Sequence, residues 1–339
     1  MLNGKKIFIS SCAGLGDLLM FTPALRAIKA QYPACTVTFL TNEPNKTALN
    51  KLPYIDNVVT IKRKKAFGRI QVLPAIRQQD YVIFTDWQPQ LALLSYLCDV
   101  PVRVGIPKKD HFFNRFLNHV LTLNVMTSSL YAAETNAQIF SEALGISITG
   151  DMSQPDISLP DDKDICEAHN LLETVGLSPK KVFICMAPFT GMEQRDWPVE
   201  YVQQFVRLVN NELNMPVVLL GPAHKMHEAA TIQGAKCLVG MTNIMQMVEI
   251  INRSKLYVGP DSGPMHIACA VRTPSVALFN KDLPSRWAPR HNCRVITLGL
   301  SCSPCSDETA RQCESLECMR RITPDMVFAA TCDELTRLI

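Results

Sequence analysis

Three short segments of this chain combine residue types that can do chemistry. The sharpest is Tyr257-Val258-Gly259-Pro260-Asp261-Ser262-Gly263-Pro264-Met265-His266. An apolar run followed by Asp-Ser-Gly-Pro predicts a strand, a tight loop and a helix start. Asp261 or Ser262 suits the cap. Pro264 suits the first helical position, where a missing N–H costs nothing. The N–H groups of Ser262, Gly263 and Met265 would then be free to hold a phosphate, aided by the helix dipole. Gly263 admits a bulky anion close to the backbone. His266, about one turn on, reaches the same phosphates or a sugar hydroxyl. Capping plus a core histidine is the bland alternative, and the combined pattern argues against it.

The second segment is Gly14-Leu15-Gly16-Asp17. Its glycines are not a dinucleotide fingerprint, because Leu19 stands at the third position and no acidic ribose partner follows. Asp17 is either a helix cap or a carboxylate presented to a ligand, and a helix N-terminus would keep it ionised. The third segment is Thr190-Gly191, then Arg195-Asp196-Trp197-Pro198. Arg195 is either a surface cation beside a Trp-Pro anchor or a bidentate partner for a diphosphate. Thr190 and Gly191 could add a hydroxyl and a backbone donor.

Two further groups are less specific. Lys62-Arg63-Lys64-Lys65, Arg69, Lys108, Lys109 and Arg115 are either solvated loop charge or a basic face for an anionic acceptor. Cys302-x-x-Cys305, Cys313 and Cys318 could form a tetrahedral thiolate site for structural zinc or iron. The later spacings are irregular for a zinc ribbon, so redox pairing or plain reduced thiols compete with it. The cluster is given no catalytic role.

These segments need elements to hold them. Residues 6–10, 36–40, 58–61, 81–84 and 102–105 read as strands, and 18–31 as a helix with Pro23 near its first turn. Strands separated by helices imply parallel βαβ units. Residues 148–162 lose that texture and read as a linker. The alternation then restarts, with strands at 181–186, 216–220, 256–259 and 275–279 and helices at 199–211, 244–251 and 265–271. The expected organisation is therefore an α/β chain of two Rossmann-like domains facing a central cleft. They cover 1–160 and 161–322, which suggests two substrates, one per domain. A C-terminal helix, 323–339, is expected to pack back toward the first domain. Ligands of such sheets sit at the carboxyl ends of the strands.

Bulk composition narrows the classes. The chain has 339 residues, 47% hydrophobic and 19% charged, with 34 basic against 31 acidic residues. That suits two folded domains and argues against disorder. A net charge of +3 is too mild for a nucleic-acid binder. Residues 1–10 read as a run into a strand and are not expected to act as a signal peptide, no apolar run is long enough to span a membrane, and 13 cysteines make an odd number. The expected location is cytoplasmic, at most peripheral to the inner membrane.

The segment Asp261–His266, continued through Thr273-Pro274-Ser275-Val276-Ala277-Leu278-Phe279 and Trp287-Ala288-Pro289, resembles the signature of glycosyltransferase family 9, the bacterial heptosyltransferases. Gly16-Asp17-Leu18-Leu19 with Thr22-Pro23-Ala24-Leu25-Arg26 resembles that family's first loop. Pro188, Gly191 and Arg195-Asp196-Trp197-Pro198 resemble its donor loop. The resemblance implies a GT-B fold, inversion at the anomeric carbon and no catalytic metal. It places the general base at Asp17. It puts a diphosphate cation at Arg195, where the family more often has Lys, and loops around the nucleotide at Gly221-Pro222 and Gly240-Met241-Thr242. It implies ADP-heptose as donor and an anionic lipopolysaccharide core as acceptor. A protein acceptor, another nucleotide-sugar, a sugar-nucleotide epimerase and a non-catalytic binder are the alternatives. An epimerase would need more acidic and histidine residues than His266 supplies.

Overall fold

The structure is a computed structural model, and it describes residues 2–61, 70–122, 128–178 and 180–338. The basic stretch Lys62–Lys65 with Arg69 lies outside the described residues. The chain divides into two compact units, Met1–Ser158 and Leu159–Ile339.

In the first unit, six parallel strands form one sheet: β1 (Lys6–Ser10), β2 (Thr36–Asn42), β3 (Asn57–Ile61), β4 (Tyr81–Phe84), β5 (Val102–Gly105) and β6 (His119–Val120). Their order is β3-β2-β1-β4-β5-β6. The direction of winding reverses between β1 and β4, which opens a crevice at their carboxyl ends. β1 can be central because Ile7, Phe8 and Ile9 are all buried, so both faces of the strand are apolar. The expected single helix is two, α1 (Leu15–Leu19) and α2 (Thr22–Gln31). Pro23 lies in the first turn of α2, where it restarts the helix rather than kinking it. Helices α3 (Pro89–Leu97) and α4 (Ala132–Leu144) complete the layers, α4 lying against α2.

The expected linker is not loose along its first half. Arg26 donates to Asp156, to Asp151 O (3.0 Å) and to Gln154 O (3.1 Å). Asp156 N donates to Thr22 Oγ1 (2.8 Å) and Ser158 N to Ala48 O (2.8 Å). These bonds sew the stretch onto the first unit until the boundary at Ser158. Helix α5 (Asp162–Thr174) then starts cleanly, because the side chains of Asp161 and Asp164 cap each other's backbone N–H.

The second unit repeats the plan with β7 (Ile184–Met186), β8 (Val217–Leu219), β9 (Lys236–Cys237), β10 (Leu256–Pro260), β11 (Ser275–Phe279) and β12 (Cys293–Thr297). The order β12-β11-β10-β7-β8-β9 is the same winding, reversing between β7 and β10. Helix α6 (Val199–Glu212) buries Val202, Phe205, Val206 and Val209, the i, i+3, i+4, i+7 stripe of an amphipathic helix. Helix α7 (Ile244–Arg253) starts at a capping box of Asn243 and Gln246, and helix α8 (Gly263–Ala270) follows β10. The C-terminal helix α9 (Pro324–Arg337) packs on α6 and on the strands β10, β11 and β12 of its own unit. Val327 and Ala330 supply the apolar contacts, and Trp197 ties the neighbourhood by donating its indole N–H to Ile322 O (2.9 Å).

Candidate active site

Each unit carries its chemistry on the two loops beside its reversal point. In the first unit the loop after β1 leads into α1. Asn42 Nδ2 donates to Cys12 O (2.8 Å) and Asn45 Nδ2 to Ala13 O (3.4 Å), fixing that loop against β2. Gly14 is the N-cap of α1, so Asp17 is not the cap that the sequence left open. It is the acidic residue of the first turn, half-buried, and a Cβ on Gly14 would lie 3.2 Å from its Oδ2. The glycine therefore clears space for the Asp17 carboxylate. Across the reversal, Asp86 follows β4 and accepts from Cys12 N (3.4 Å) and Gln88 Nε2 (2.9 Å). Two carboxylates thus stand at one crevice, and the second had no sequence motif to announce it.

In the second unit, the loop after β10 has the predicted strand–loop–helix form with two corrections. Ser262 is the N-cap, but its hydroxyl donates to Pro260 O (3.2 Å) and makes no side-chain cap; Pro264 takes the second helical position. Met265 N donates to Ser262 O (3.0 Å) and is not free. The N–H groups of Ser262 and Gly263 have no acceptor among the described residues. Gly259 beneath them has no room for a side chain. A Cβ there would lie 2.4 Å from Tyr257 Oη and 2.9 Å from Ala187 O. Tyr257 is fully buried, and that burial pushes its phenol well above the ordinary range.

Around this helix start the structure gathers the predicted side chains. His266 and Asp261 are both buried, with Nε2 to Oδ1 at 3.6 Å. The His266 ring meets Trp287 edge-on at 6.2 Å. Arg195 Nη1 donates to Asp261 O (3.3 Å), and its Nη2 meets Asp282 Oδ2 at 2.7 Å. Two buried nitrogens, His266 Nδ1 and Arg195 Nε, find no partner among the described residues. Buried polar groups left unmatched are costly, and a polar ligand would satisfy them.

Asp282 belongs to a group that the sequence did not flag. It follows Asn280 and Lys281 at the carboxyl end of β11. Lys281 is 4% exposed, with Nζ 3.2 Å from Asp282 Oδ1 and 2.8 Å from Asp307 Oδ1. Asp307 is held below the ordinary carboxylate value, chiefly by the hydrogen bond from Lys281. Lys225 is a second buried cation, 3.0 Å from Glu228 Oε1 and 3.2 Å from Asp196 Oδ2. Burial alone would lower the Lys225 pKa, but Glu228 and Asp196 outweigh it and raise it.

The Thr190 hydroxyl is used inside its own loop, donating to Met192 O (2.7 Å), while Thr190 N donates to Asp196 Oδ1 (2.6 Å). Gly191 is exposed with open space about it. Gly240 has φ +77°, and a Cβ there would lie 2.8 Å from Ala223 Cα. Its N–H donates to Gly221 O (2.9 Å), so the two loops beyond β8 and β9 are clamped together. Met241 is 46% exposed beside them, and Thr242 Oγ1 is buried without a partner among the described residues.

The sequence profile of glycosyltransferase family 9 (heptosyltransferase) matches residues 69–315. The chain belongs to that family. Lipopolysaccharide heptosyltransferase 2 of Salmonella typhimurium is 25% identical over 325 residues, covering 86% of this chain and 88% of the relative. Among solved structures, the family 9 glycosyltransferase of Veillonella parvula superposes with a TM-score of 0.85 at 19% identity, covering 99% of both chains. The Escherichia coli ADP-heptose lipopolysaccharide heptosyltransferase II gives 0.77 at 21% identity, covering 98% and 99%. This family 9 glycosyltransferase therefore has the two-domain α/β architecture of the GT-B enzymes.

All 13 cysteines are free, and among the described residues no three or more His, Cys, Asp or Glu side chains are arranged to hold a metal ion. Cys302, Cys305, Cys313 and Cys318 are near enough for charge on one to raise the pKa of Cys318, on top of the larger effect of burial. No helix of the described residues is long and apolar enough to cross a membrane.

Proposed function

We propose that this glycosyltransferase moves a heptose from ADP-heptose to an acceptor sugar of a lipopolysaccharide inner core, with inversion at the anomeric carbon. The observation that carries the reading is the helix start at Asp261–His266. Two free backbone donors and two unmatched buried nitrogens, His266 Nδ1 and Arg195 Nε, converge there. Relatives named as heptosyltransferases, one with ADP-heptose in its name, support the sugar and the base.

The steps follow from charge. Asp17 takes the proton of the acceptor hydroxyl as its oxygen attacks the anomeric carbon. The bond from that carbon to the diphosphate oxygen breaks on the opposite face, and its electron pair leaves on ADP. Arg195 and the N–H groups of Ser262 and Gly263 neutralise the charge that develops on the diphosphate. His266 holds a diphosphate oxygen through Nδ1, and Asp261 orients its ring. Gly191 lines the phosphates through its backbone, Thr190 holds that loop in shape, and Met241 and Thr242 lie beside the adenosine. The acceptor is an anionic glycolipid, so the enzyme works as a peripheral protein at the cytoplasmic face of the inner membrane. The four cysteines have no part in the transfer. Stoichiometric metal in protein purified without additions would restore a structural role for them.

The test is calorimetry with ADP-, UDP- and GDP-sugars, followed by mass spectrometry of a heptose-deficient core incubated with ADP-heptose. Binding of ADP-sugars alone, and a mass gain of one heptose, is the expected result. Tight binding of a UDP- or GDP-sugar with no response to ADP compounds overturns it.

A further inference from the structure

Apart from Ile70 and Leu130, the large exposed apolar side chains described in the first unit form a strip beside α3 and β6. Tyr96, Leu97, Phe112 and Val120 are 48%, 64%, 57% and 53% exposed. They come from the end of α3, a 3-10 turn at Phe112–Phe116, and the edge strand β6. The turn packs on α3 through aromatic rings. Phe116 lies 5.4 Å from Tyr96 and 5.8 Å from Phe112. At the other end of the turn, His111 stands 4.8 Å from Trp87. A helix ending in exposed Tyr-Leu, with three phenylalanines laid over it, has more apolar surface than its own sheet covers.

Cations frame this strip. The Arg115 guanidinium stacks on the Phe112 ring at 3.6 Å, and that of Arg103 lies 5.4 Å from the centre of Tyr96. Lys108 and Lys109 are exposed at the start of the turn. Between residues 96 and 120 these four basic residues face two aspartates, Asp99 and Asp110. Rings and leucine that are flanked by Lys and Arg match one environment well: the boundary between lipid headgroups and acyl chains. There apolar groups enter the membrane while cations meet phosphates. A second copy of the chain would set these cations against themselves. A polyanion dissolved in water would give Leu97 and Phe112 nothing to bury.

We propose that this strip docks the protein on an anionic bilayer surface, with Leu97 and Phe112 inserted and Lys108, Lys109 and Arg115 paired with lipid phosphates. The inference rests on the reading that the acceptor is lipid-borne, and it names the surface. The strip runs along the β6 flank of the sheet, from His111 beside Trp87, just past the carboxyl end of β4, to Tyr96, Leu97 and Phe116 near the amino end of β5.

The experiment uses the full-length protein and co-sedimentation with two kinds of vesicle. One is pure phosphatidylcholine; the other holds phosphatidylglycerol and phosphatidylcholine in equal parts. Wild type is expected to bind the anionic vesicles only, less so as salt rises. The pairs L97S/F112S and K108E/K109E should each weaken binding about tenfold or more. Their melting temperature and ADP affinity should stay at wild-type values, which separates docking from folding and from the donor site. Wild-type vesicle binding by both pairs overturns the proposal, as does failure of wild type to bind. A drop from dimer to monomer in L97S/F112S, seen by light scattering, also overturns it in favour of self-association. Vesicle binding without heptose transfer to a delipidated core upholds the surface and breaks the function proposed above.

Discussion

The two units share one winding and differ in what they place at its reversal point. After β1 and β4, residues 11–17 and 85–89 contribute Asp17 and Asp86 and contain no Lys or Arg. After β7 and β10, the corresponding loops contribute Arg195, His266 and a helix start with open N–H groups. The carboxylates of the second crevice are each answered: Asp282 by Arg195, Asp261 by His266, Asp196 by Lys225. The same sheet order thus supports one crevice that presents carboxylates and another that presents cations and N–H donors. Topology decides where a ligand sits, and the loops decide its charge.

That contrast can be broken at either end. Asp17→Asn should cut the transfer rate by about 10²–10⁴-fold while ADP affinity holds. If ADP affinity falls with it, the division of labour between the crevices is wrong. Arg195→Ala should cost about 10²–10³ in rate and weaken ADP as well, with Arg195→Lys recovering part of both. An Arg195→Ala enzyme with normal turnover would remove the cation from the scheme. Gly240→Ala tests the clamp between the outer loops of the second unit. Its positive φ and the 2.8 Å approach to Ala223 Cα predict a loss of about 1–3 kcal/mol, read as a lower melting temperature.

The smallest effect concerns pH. The lowered pKa of Asp307 means the folded state prefers its carboxylate charged. Its contribution is present above the ordinary carboxylate pKa and is lost as pH falls through the lowered value. Wild type and Asp307→Asn should differ slightly in melting temperature at neutral pH and converge in acid. A gap that widens in acid would contradict the Lys281 pairing.

Much of this contrast was legible because it sits on apolar strands. β1, β10 and β11 are continuous apolar runs, and such runs mark buried parallel strands. The edge strands β6 and β12 are mixed in polarity and gave no such signal. The break between α1 and α2 was hidden because Leu18 through Ile28 keeps a helical stripe, although Thr22-Pro23 restarts it. The strand, loop and helix start around Asp261–His266 were legible because five residue types in order fit that one local geometry. Asp86, Lys281 and Asp282 were not, since each is a lone charge with no spacing rule. One signal could have found them: each lies within three residues of the carboxyl end of an apolar strand, where this fold binds ligands.

Tyr257 and Gly259 carry a last consequence. The phenol lies across the bare backbone two residues on, so the strand beneath the phosphate loop is wedged from below. A loop propped in this way has little to reorganise when an anion arrives. Capture of the nucleotide then costs little ordering entropy, and its speed is set by collision and long-range attraction. Stopped-flow binding should show a single phase whose rate rises linearly with nucleotide and falls with salt.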